Sequence, residues 1–180
     1  MPSVKRYFNH EKSFVPLGTS THYGKNLKYF DNFFQNYLNR NKIYGPVKVD
    51  VLLGKKNKKV IELSNRFHGE IDTTHVFKYI DYALSKIFFK YLVYDIKPPT
   101  IYKKLYVGYI SVFKKKLNKS KIKKILTKHN LKLLEIIDKK DSISSERICS
   151  TRNINKYLFY KSPVQISIHN FKKISKQINE

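Results

Sequence analysis

Apolar residues recur with helical spacing in several segments of the chain. Residues 26–40 predict an amphipathic helix, and residues 72–92 predict a longer one, because the apolar positions of each share one face. The first stripe comprises Leu27, Phe30, Phe34, Tyr37 and Leu38, and the second comprises Val76, Ile80, Leu84, Ile87 and Tyr91. Residues 162–178 predict a closing helix with Ser162 as its N-cap. A loop is predicted over residues 14–24, where Pro and Gly interrupt the pattern.

Four other segments are predicted to be strands, and residues 47–53 among them alternate apolar and polar residues. Residues 47–53 and 60–64 lie on either side of a lysine-rich turn and predict a β-hairpin. Residues 104–113 and 131–137 predict two further strands, separated by a lysine-rich helical or turn segment. Helices and strands are mixed along the chain, which predicts an α+β fold with an antiparallel sheet and flanking helices.

The charge of the chain is strongly positive. Its 37 Lys and Arg against 13 Asp and Glu give a formal net charge of +24, which is typical of proteins that neutralise nucleic-acid phosphates. The excess is almost all Lys and accompanies many Asn, Ile, Tyr and Phe residues, a composition that AT-rich coding sequence favours through its codons. A nucleic-acid partner is therefore not favoured, and a basic RNA- or DNA-binding module is kept as the alternative function.

Three features bear on the compartment of the protein. Cys149 is the one cysteine of the chain, so no internal disulfide forms. The first residues lack the apolar core of a signal peptide. No uninterrupted apolar run reaches the ~18 residues of a membrane-spanning helix. We therefore expect a cytoplasmic protein without a membrane partner.

Two acidic residues interrupt the predicted hairpin strands. If the turn is centred near Lys56, then Asp50 and Glu62 lie opposite one another, and alternation places Ser64 on the same face. Opposed carboxylates repel unless a cation bridges them. That cation is either Mg²⁺, which uses one or two carboxylates when it also holds phosphate oxygens, or a nearby Lys beside a half-exposed acid. Arg66, just past the strand, is placed to contact a phosphate or carboxylate in bidentate fashion.

The stretch "GPVKVDVLL…KKVIELSNRFHG" resembles the metal-binding hairpin of the ATP-grasp superfamily of carboxylate–amine and carboxylate–thiol ligases. In that superfamily two acids and an Asn, or in some members a Ser, hold two Mg²⁺ ions against the phosphates of ATP. The resemblance implies that Asp50, Glu62 and Ser64 bind Mg²⁺. It also implies that Arg66, the catalytic candidate, binds the nucleotide with Asp50 and Glu62 and positions the phosphate or acyl phosphate.

The same resemblance implies a domain organisation and a reaction class. Residues 1–99 are expected to be the C-terminal part of an ATP-grasp catalytic domain, and residues 100–180 a small α+β sub-domain. The implied reaction activates a small carboxylate as an acyl phosphate with ATP and transfers it to an amine or thiol. The adenine-contacting and phosphate-covering segments of the superfamily are not found, so we expect a separately encoded or upstream N-terminal half and an isolated chain that is incomplete as an enzyme.

Several further polar residues are candidates beside this motif. His68 either faces the acyl substrate or is a turn residue bonded to the backbone, and His22 approaches the same cleft if its loop folds over it. Asn65 stands where the superfamily often has Pro, which leaves open whether Ser64 or Asn65 takes the role of the usual Asn. His75 is interpreted as a surface or hydrogen-bonded residue of the second helix.

Overall fold

The computed structural model describes residues 4–8, 16–21, 25–53, 58–66, 75–80, 84–97, 105–139 and 154–180. The elements in this part of the chain are β1 (Val4–Phe8), β2 (Pro16–Thr21), α1 (Lys25–Arg40), β3 (Lys48–Leu53), β4 (Lys58–Ser64), a short 3₁₀ helix (Phe77–Ile80), α2 (Leu84–Tyr94), β5 (Tyr106–Val112), α3 (Lys119–Lys128), β6 (Lys132–Asp138), β7 (Lys156–Ser162) and α4 (Ile168–Asn179). Antiparallel strands with flanking helices confirm the predicted α+β fold. Among these helices, none has the length and apolar character needed to cross a membrane.

The chain divides into two compact units. Unit 1 comprises Met1–Tyr23, Glu70–Leu84 and Pro99–Glu180, and unit 2 comprises Gly24–Gly69 and Ser85–Pro98. Strands from before and after residue 99 therefore share unit 1. The assignment of residues 1–99 and 100–180 to two parts of the ATP-grasp fold concerns its relation to that superfamily and stays a prediction.

Unit 1 is built on a five-stranded antiparallel sheet with the order β1-β2-β5-β7-β6. Helices α3 and α4 cover one face, where Ile110, Leu158 and Phe171 belong to one buried cluster. The segment 75–80 covers the other face, where a second cluster forms around Phe159. Strand β7 was not predicted, because its buried residues follow one another without alternation and such a run does not distinguish a strand from a helix.

Residues 16–21 form strand β2, so the predicted loop is wrong in this part of the chain. The side chains of β2 are small and its backbone lies very close to β5: a Cβ on Gly18 would stand 2.0 Å from the carbonyl oxygen of Tyr109. The hydroxyl of Thr21 donates to the carbonyl of Leu105 at 3.0 Å and accepts from the backbone N–H of Val107 at 3.0 Å. Hydrogen bonds from small polar side chains thus hold a buried strand that lacks a regular apolar alternation.

The helix predicted over 72–92 is not a single α-helix. Its first described part, residues 75–80, contains the 3₁₀ helix Phe77–Ile80, whose two end residues are buried in unit 1. The second part is α2, of which all but the first residue belongs to unit 2. Tyr91, predicted to lie on the buried side, is 47% exposed. A single apolar stripe is therefore divided between two units.

Helix α4 confirms the predicted closing helix but begins later than expected. Ser162, the predicted N-cap, is the last residue of β7, and its hydroxyl donates to the carbonyl of Val164 at 2.6 Å. The N-cap is Ser167, whose Oγ accepts from the backbone N–H of Asn170 at 3.2 Å. Both serines precede apolar residues, so either is a plausible N-cap in the sequence. Ser162 instead ends the strand β7, whose residues 157–160 are buried.

Unit 2 contains α1, the hairpin of β3 and β4, and α2. Helix α1 confirms the prediction over 26–40, with Phe30 and Phe34 buried. Helix α2 is unusual because it carries apolar side chains on its exposed side as well: Phe89, Leu92 and Val93 are 57%, 64% and 53% exposed. A helix that is apolar all round is typical of a buried helix.

A paired-carboxylate hairpin as the candidate functional site

The hairpin of β3 and β4 places Asp50 and Glu62 opposite one another. Their Cα atoms are direct partners in an antiparallel ladder, and Lys48 and Ser64 are the pair two residues along. Side chains at directly opposed positions, and at positions two apart, share one face of a sheet. All four polar side chains therefore lie on the same face, and the register predicted from the alternation is confirmed.

A β-bulge lies beside the acidic pair. The register shifts after Asp50, so that Val51 pairs with Val60 and Ile61 is the extra residue. A bulge bends its strand, increases the local twist, and often occurs next to a functional site, where it redirects a side chain. The alternation of the sequence places the acids opposite each other but does not reveal the bulge, because the bulge adds a residue without breaking the apolar pattern.

Lys48 brings a positive charge to the acidic pair. Its Nζ lies 2.7 Å from Oδ2 of Asp50 and 3.8 Å from Oε2 of Glu62. The side chain of Lys48 is only 9% exposed, against 29% for Asp50 and 48% for Glu62. The structure thus shows the pairing with a nearby Lys that the sequence left open.

The hydroxyl of Ser64 donates a hydrogen bond to Oε1 of Glu62. This hydrogen bond is the largest of the effects that hold the pKa of Glu62 below its ordinary value, and the charge of Lys48 is the next largest. The nearby Asp50 acts in the opposite direction. Glu62 is therefore ionised at neutral pH, which is the form that binds a metal ion. The Ser64 oxygen keeps its lone pairs while it donates, so it remains available as an acceptor.

Arg66 follows directly after β4. Its backbone N–H donates to the carbonyl of Ser64 at 2.9 Å, and its charge contributes to the lowered pKa of Glu62. Arg66 therefore carries its positive charge close enough to act on the site. The two predicted substrate-facing residues, His68 and His22, lie outside the described residues.

The oxygen donors of the hairpin fit a divalent cation that also binds phosphate. The described part of the chain contains no group of three or more His, Cys, Asp or Glu side chains that could hold a metal ion. An all-protein metal cage is therefore not present in that part. Mg²⁺ does not require one when substrate phosphates complete its coordination. Two opposed carboxylates and a hydroxyl are hard oxygen ligands, and the approach of Lys48 shows that the pair attracts positive charge.

A second polar cluster, in unit 1, was not predicted. Oε1 of Glu135, on β6, lies 2.8 Å from Nζ of Lys78 and 3.4 Å from Nδ1 of His75. Nε2 of His75 is buried without a hydrogen-bond partner in the described residues, and its ring lies 5.3 Å from that of Phe159. Burial, followed by the charge of Lys78, lowers the pKa of His75. His75 is thus a largely buried, incompletely bonded residue, and its partner 60 residues away left no signal in the sequence.

Comparison with solved structures finds a similar fold in an ATP-grasp protein. It is the ATPase subunit of phosphoribosylaminoimidazole carboxylase from Aquifex aeolicus, with a TM-score of 0.55 and 16% sequence identity. The match covers 96% of this chain and 50% of that chain, so this chain spans half the length of the protein it resembles. At this identity the likeness concerns the fold alone. No protein-family model and no curated protein matches the chain.

Proposed function

We propose that the chain is the Mg²⁺- and phosphate-binding part of an ATP-grasp ligase, of the kind that joins a carboxylate to an amine or thiol through an acyl phosphate. The observation that carries this proposal is the in-register pairing of Asp50 and Glu62 on one face of a hairpin, with Ser64 bonded to Glu62. The ATP-grasp-like fold supports it, because a hairpin of this sequence is expected in such a fold.

The roles of the hairpin residues follow from their chemistry. Asp50, Glu62 and Ser64 are the proposed ligands of Mg²⁺, which when bound neutralises charge on phosphate oxygens. Ser64 holds one carboxylate oxygen of Glu62 in place through its hydrogen bond. Arg66 presents a planar guanidinium that suits bidentate contact with a phosphate or an acyl phosphate. His68 is the proposed contact to the acyl substrate, and His22 is a second candidate for that contact.

We also propose that further chain, encoded separately or upstream, completes the ATP site. The chain spans 50% of the similar structure, and α2 exposes the apolar side chains Phe89, Leu92 and Val93. Exposed apolar patches of this kind often mark an interaction surface. Phosphoryl transfer requires the nucleotide to be positioned and its charge neutralised by several parts at once, so the chain alone is expected to be inactive. The proposal also includes two predictions from the sequence: the division of the chain at residue 99 into a catalytic part and a small sub-domain, and a cytoplasmic location.

Metal binding tests the proposal most directly. Mn²⁺ is titrated into the purified chain and followed by the paramagnetic relaxation of water protons. Replacing Glu62 by Gln removes one charge and one ligand oxygen, and we expect Mn²⁺ to bind at least about tenfold more weakly. The matched control is Glu180→Gln, which removes the same charge from an exposed pair with Lys176 in unit 1. Equal binding by the Glu62→Gln variant and the wild type would remove the metal assignment.

A basic nucleic-acid-binding module is the second candidate, and one surface of unit 1 favours it. The segment 114–132 contains nine Lys and no acidic residue, and every one of these lysines is exposed on or beside α3. They are Lys114, Lys115, Lys116, Lys119, Lys121, Lys123, Lys124, Lys128 and Lys132. The segment has no Phe, Tyr or Trp on which bases would stack, so binding would be to phosphates. Retention on duplex DNA that falls steeply with salt, and falls less steeply after Lys121→Gln and Lys124→Gln, would favour this candidate.

A further inference from the structure

The candidate metal site already contains a positively charged group. Nζ of Lys48 approaches one oxygen of Asp50 and one of Glu62. A metal ion shared by the two carboxylates would have to bring its charge to the same place. We propose that Lys48 is an internal counter-cation that neutralises the acidic pair in the absence of metal and must move aside when a divalent ion binds. This proposal rests on the proposed function of the hairpin.

The position of Lys48 in the ladder explains why it reaches both acids. It lies two residues before Asp50 on β3, so the two side chains share a face, and its cross-strand partner is Ser64, next but one to Glu62. From this corner the flexible stem extends across the face toward the carboxylates. The side chain of Lys48 is the most buried of the three charged residues, and the side chains of Asp50 and Glu62 are more exposed to solvent.

The same geometry opposes a bound metal. The ammonium group of Lys48 lies at full hydrogen-bonding distance, 2.7 Å, from Oδ2 of Asp50. Mg²⁺ needs its ligand oxygens at about 2.1 Å and repels a positive charge held beside them. Metal binding therefore requires the Nζ to withdraw, which the four-carbon stem of Lys allows. A metal ion that arrives with a nucleotide brings phosphate oxygens with which the displaced ammonium can pair, whereas a free ion brings none. Lys48 thus disfavours free divalent ions more than nucleotide-bound ones.

The test is Mn²⁺ titration of the whole chain carrying Lys48→Met, which keeps an unbranched stem and removes the charged ammonium group. We expect Mn²⁺ alone to bind about threefold to tenfold more tightly than to the wild type, since a competing charge of a partly exposed pair is removed. Lys48→Arg retains the charge and should bind Mn²⁺ as the wild type does. The control is Lys59→Met, which removes an exposed Lys of the same hairpin, paired with Leu52, and should change binding little.

Two outcomes overturn the proposal: unchanged or weaker Mn²⁺ binding by Lys48→Met, or equal tightening by Lys59→Met. If the Lys48→Met hairpin is destabilised, the rise of its unfolding midpoint with added Mn²⁺ gives the same information, and it should exceed the rise in the wild type. The Glu62→Gln variant separates this proposal from the proposed function. Weaker binding by Glu62→Gln together with unchanged binding by Lys48→Met would refute only the role of Lys48.

Discussion

Asp50 and Glu62 are direct cross-strand partners in the hairpin, and Lys48 is ion-paired with both. Like charges at directly opposed positions destabilise a sheet, so the hairpin depends on a positive charge next to the pair. Lys48 supplies such a charge through its ion pairs with both carboxylates. If the proposed metal ion binds to this pair, the stability of the hairpin and the affinity for metal are linked through the same two carboxylates.

The first prediction concerns hairpin stability without metal. Lys48→Met leaves the acidic pair without its ion-pair partner, and we expect the free energy of unfolding to fall by about 1 kcal/mol, a value at the upper end for partly exposed pairs. Urea denaturation in the presence of a chelator measures the change. Lys59→Met is the control and should change the free energy by less than about 0.5 kcal/mol. A loss of equal size in both variants would show that the acidic pair does not depend on Lys48.

The second prediction concerns activity. The purified chain, supplied with ATP, Mg²⁺ and a panel of amino acids and short carboxylates, should release no ADP above background. The reason is that positioning and charge neutralisation fail together when parts of a phosphoryl-transfer site are missing. ADP release is measured for the wild type and for Glu62→Gln. Robust turnover that disappears in Glu62→Gln would show that the chain contains a complete site.

The third prediction concerns pH and the cluster of His75 in unit 1. The pKa of His75 is lowered by burial and by Lys78. For Glu135, burial raises the pKa, but hydrogen bonds from Lys78, Tyr79 and His75 outweigh it and the net pKa is lowered. Since both groups hold protons less readily in the folded state, the unfolded chain takes up protons first as pH falls. The stability that this cluster contributes is therefore fully present above the ordinary His pKa of 6.5. It is lost as the pH falls below that value and through the lowered pKa of His75 in the folded state.

Thermal unfolding between pH 7.5 and 5.5 tests this linkage. The wild type should lose stability on acidification, and His75→Gln should lose less of it because the buried titrating group is absent. His169→Gln, which removes an exposed His of α4, is the control and should behave as the wild type. The same pH dependence in wild type and His75→Gln would exclude His75 as its source.

The fourth prediction concerns the close approach of β2 to β5. A Cβ on Gly108 would stand 1.9 Å from the carbonyl oxygen of Thr19 and 2.7 Å from Cα of Ser20, both backbone atoms that are fixed by the strand pairing. Gly108→Ala should therefore destabilise unit 1 by about 3 kcal/mol. Chemical denaturation measures the change, with Ser120→Ala on the exposed side of α3 as a nearly neutral control. A loss below about 1 kcal/mol would mean that the two strands separate easily.

The fifth prediction concerns the exposed apolar side of α2. Phe89, Leu92 and Val93 are exposed together, so the isolated chain should self-associate at micromolar concentration. Leu92→Glu places a charge in the patch and should shift the protein toward monomer in size-exclusion chromatography with light scattering. Val164→Glu changes a single exposed apolar residue of unit 1 and should leave the association unchanged. Association that survives Leu92→Glu would place its cause elsewhere on the protein.

The hairpin could be predicted from the sequence because its information is local. A turn centred near Lys56 sets which residues are opposed, so the pairing of Asp50 with Glu62 could be predicted. The bulge at Ile61, which brings the two acids into register, leaves no mark in the sequence pattern. The same pattern did not identify Lys48 as the ion-pair partner of the two acids, because a chain with so many lysines offers several possible partners. Which of them reaches the carboxylates is decided by the folded structure.

Strands β2 and β7 could not be predicted in the same way, for opposite reasons. β2 is held by close backbone approach at Gly18 and by hydrogen bonds of small hydroxyl residues such as Thr21, and in sequence such residues indicate a loop. β7 is apolar on both faces, so it has no alternation. The cluster of His75 and Glu135 depends on tertiary packing of residues far apart in the chain, which no local pattern records.

The order in which unit 1 folds follows from the contact of Tyr7 with α4. The ring of Tyr7 stacks on Phe171 with centroids 4.0 Å apart, and its hydroxyl donates to the carbonyl of Ile166, 159 residues later in the chain. The strand that carries Tyr7 therefore leaves the ribosome long before its packing partners are made. Closing so long a loop costs entropy before any contact repays it, which makes such topologies slow to fold. The β3–β4 hairpin pairs residues that are close in sequence, so its strands are expected to pair during synthesis before α4, which completes the core of unit 1, has been made.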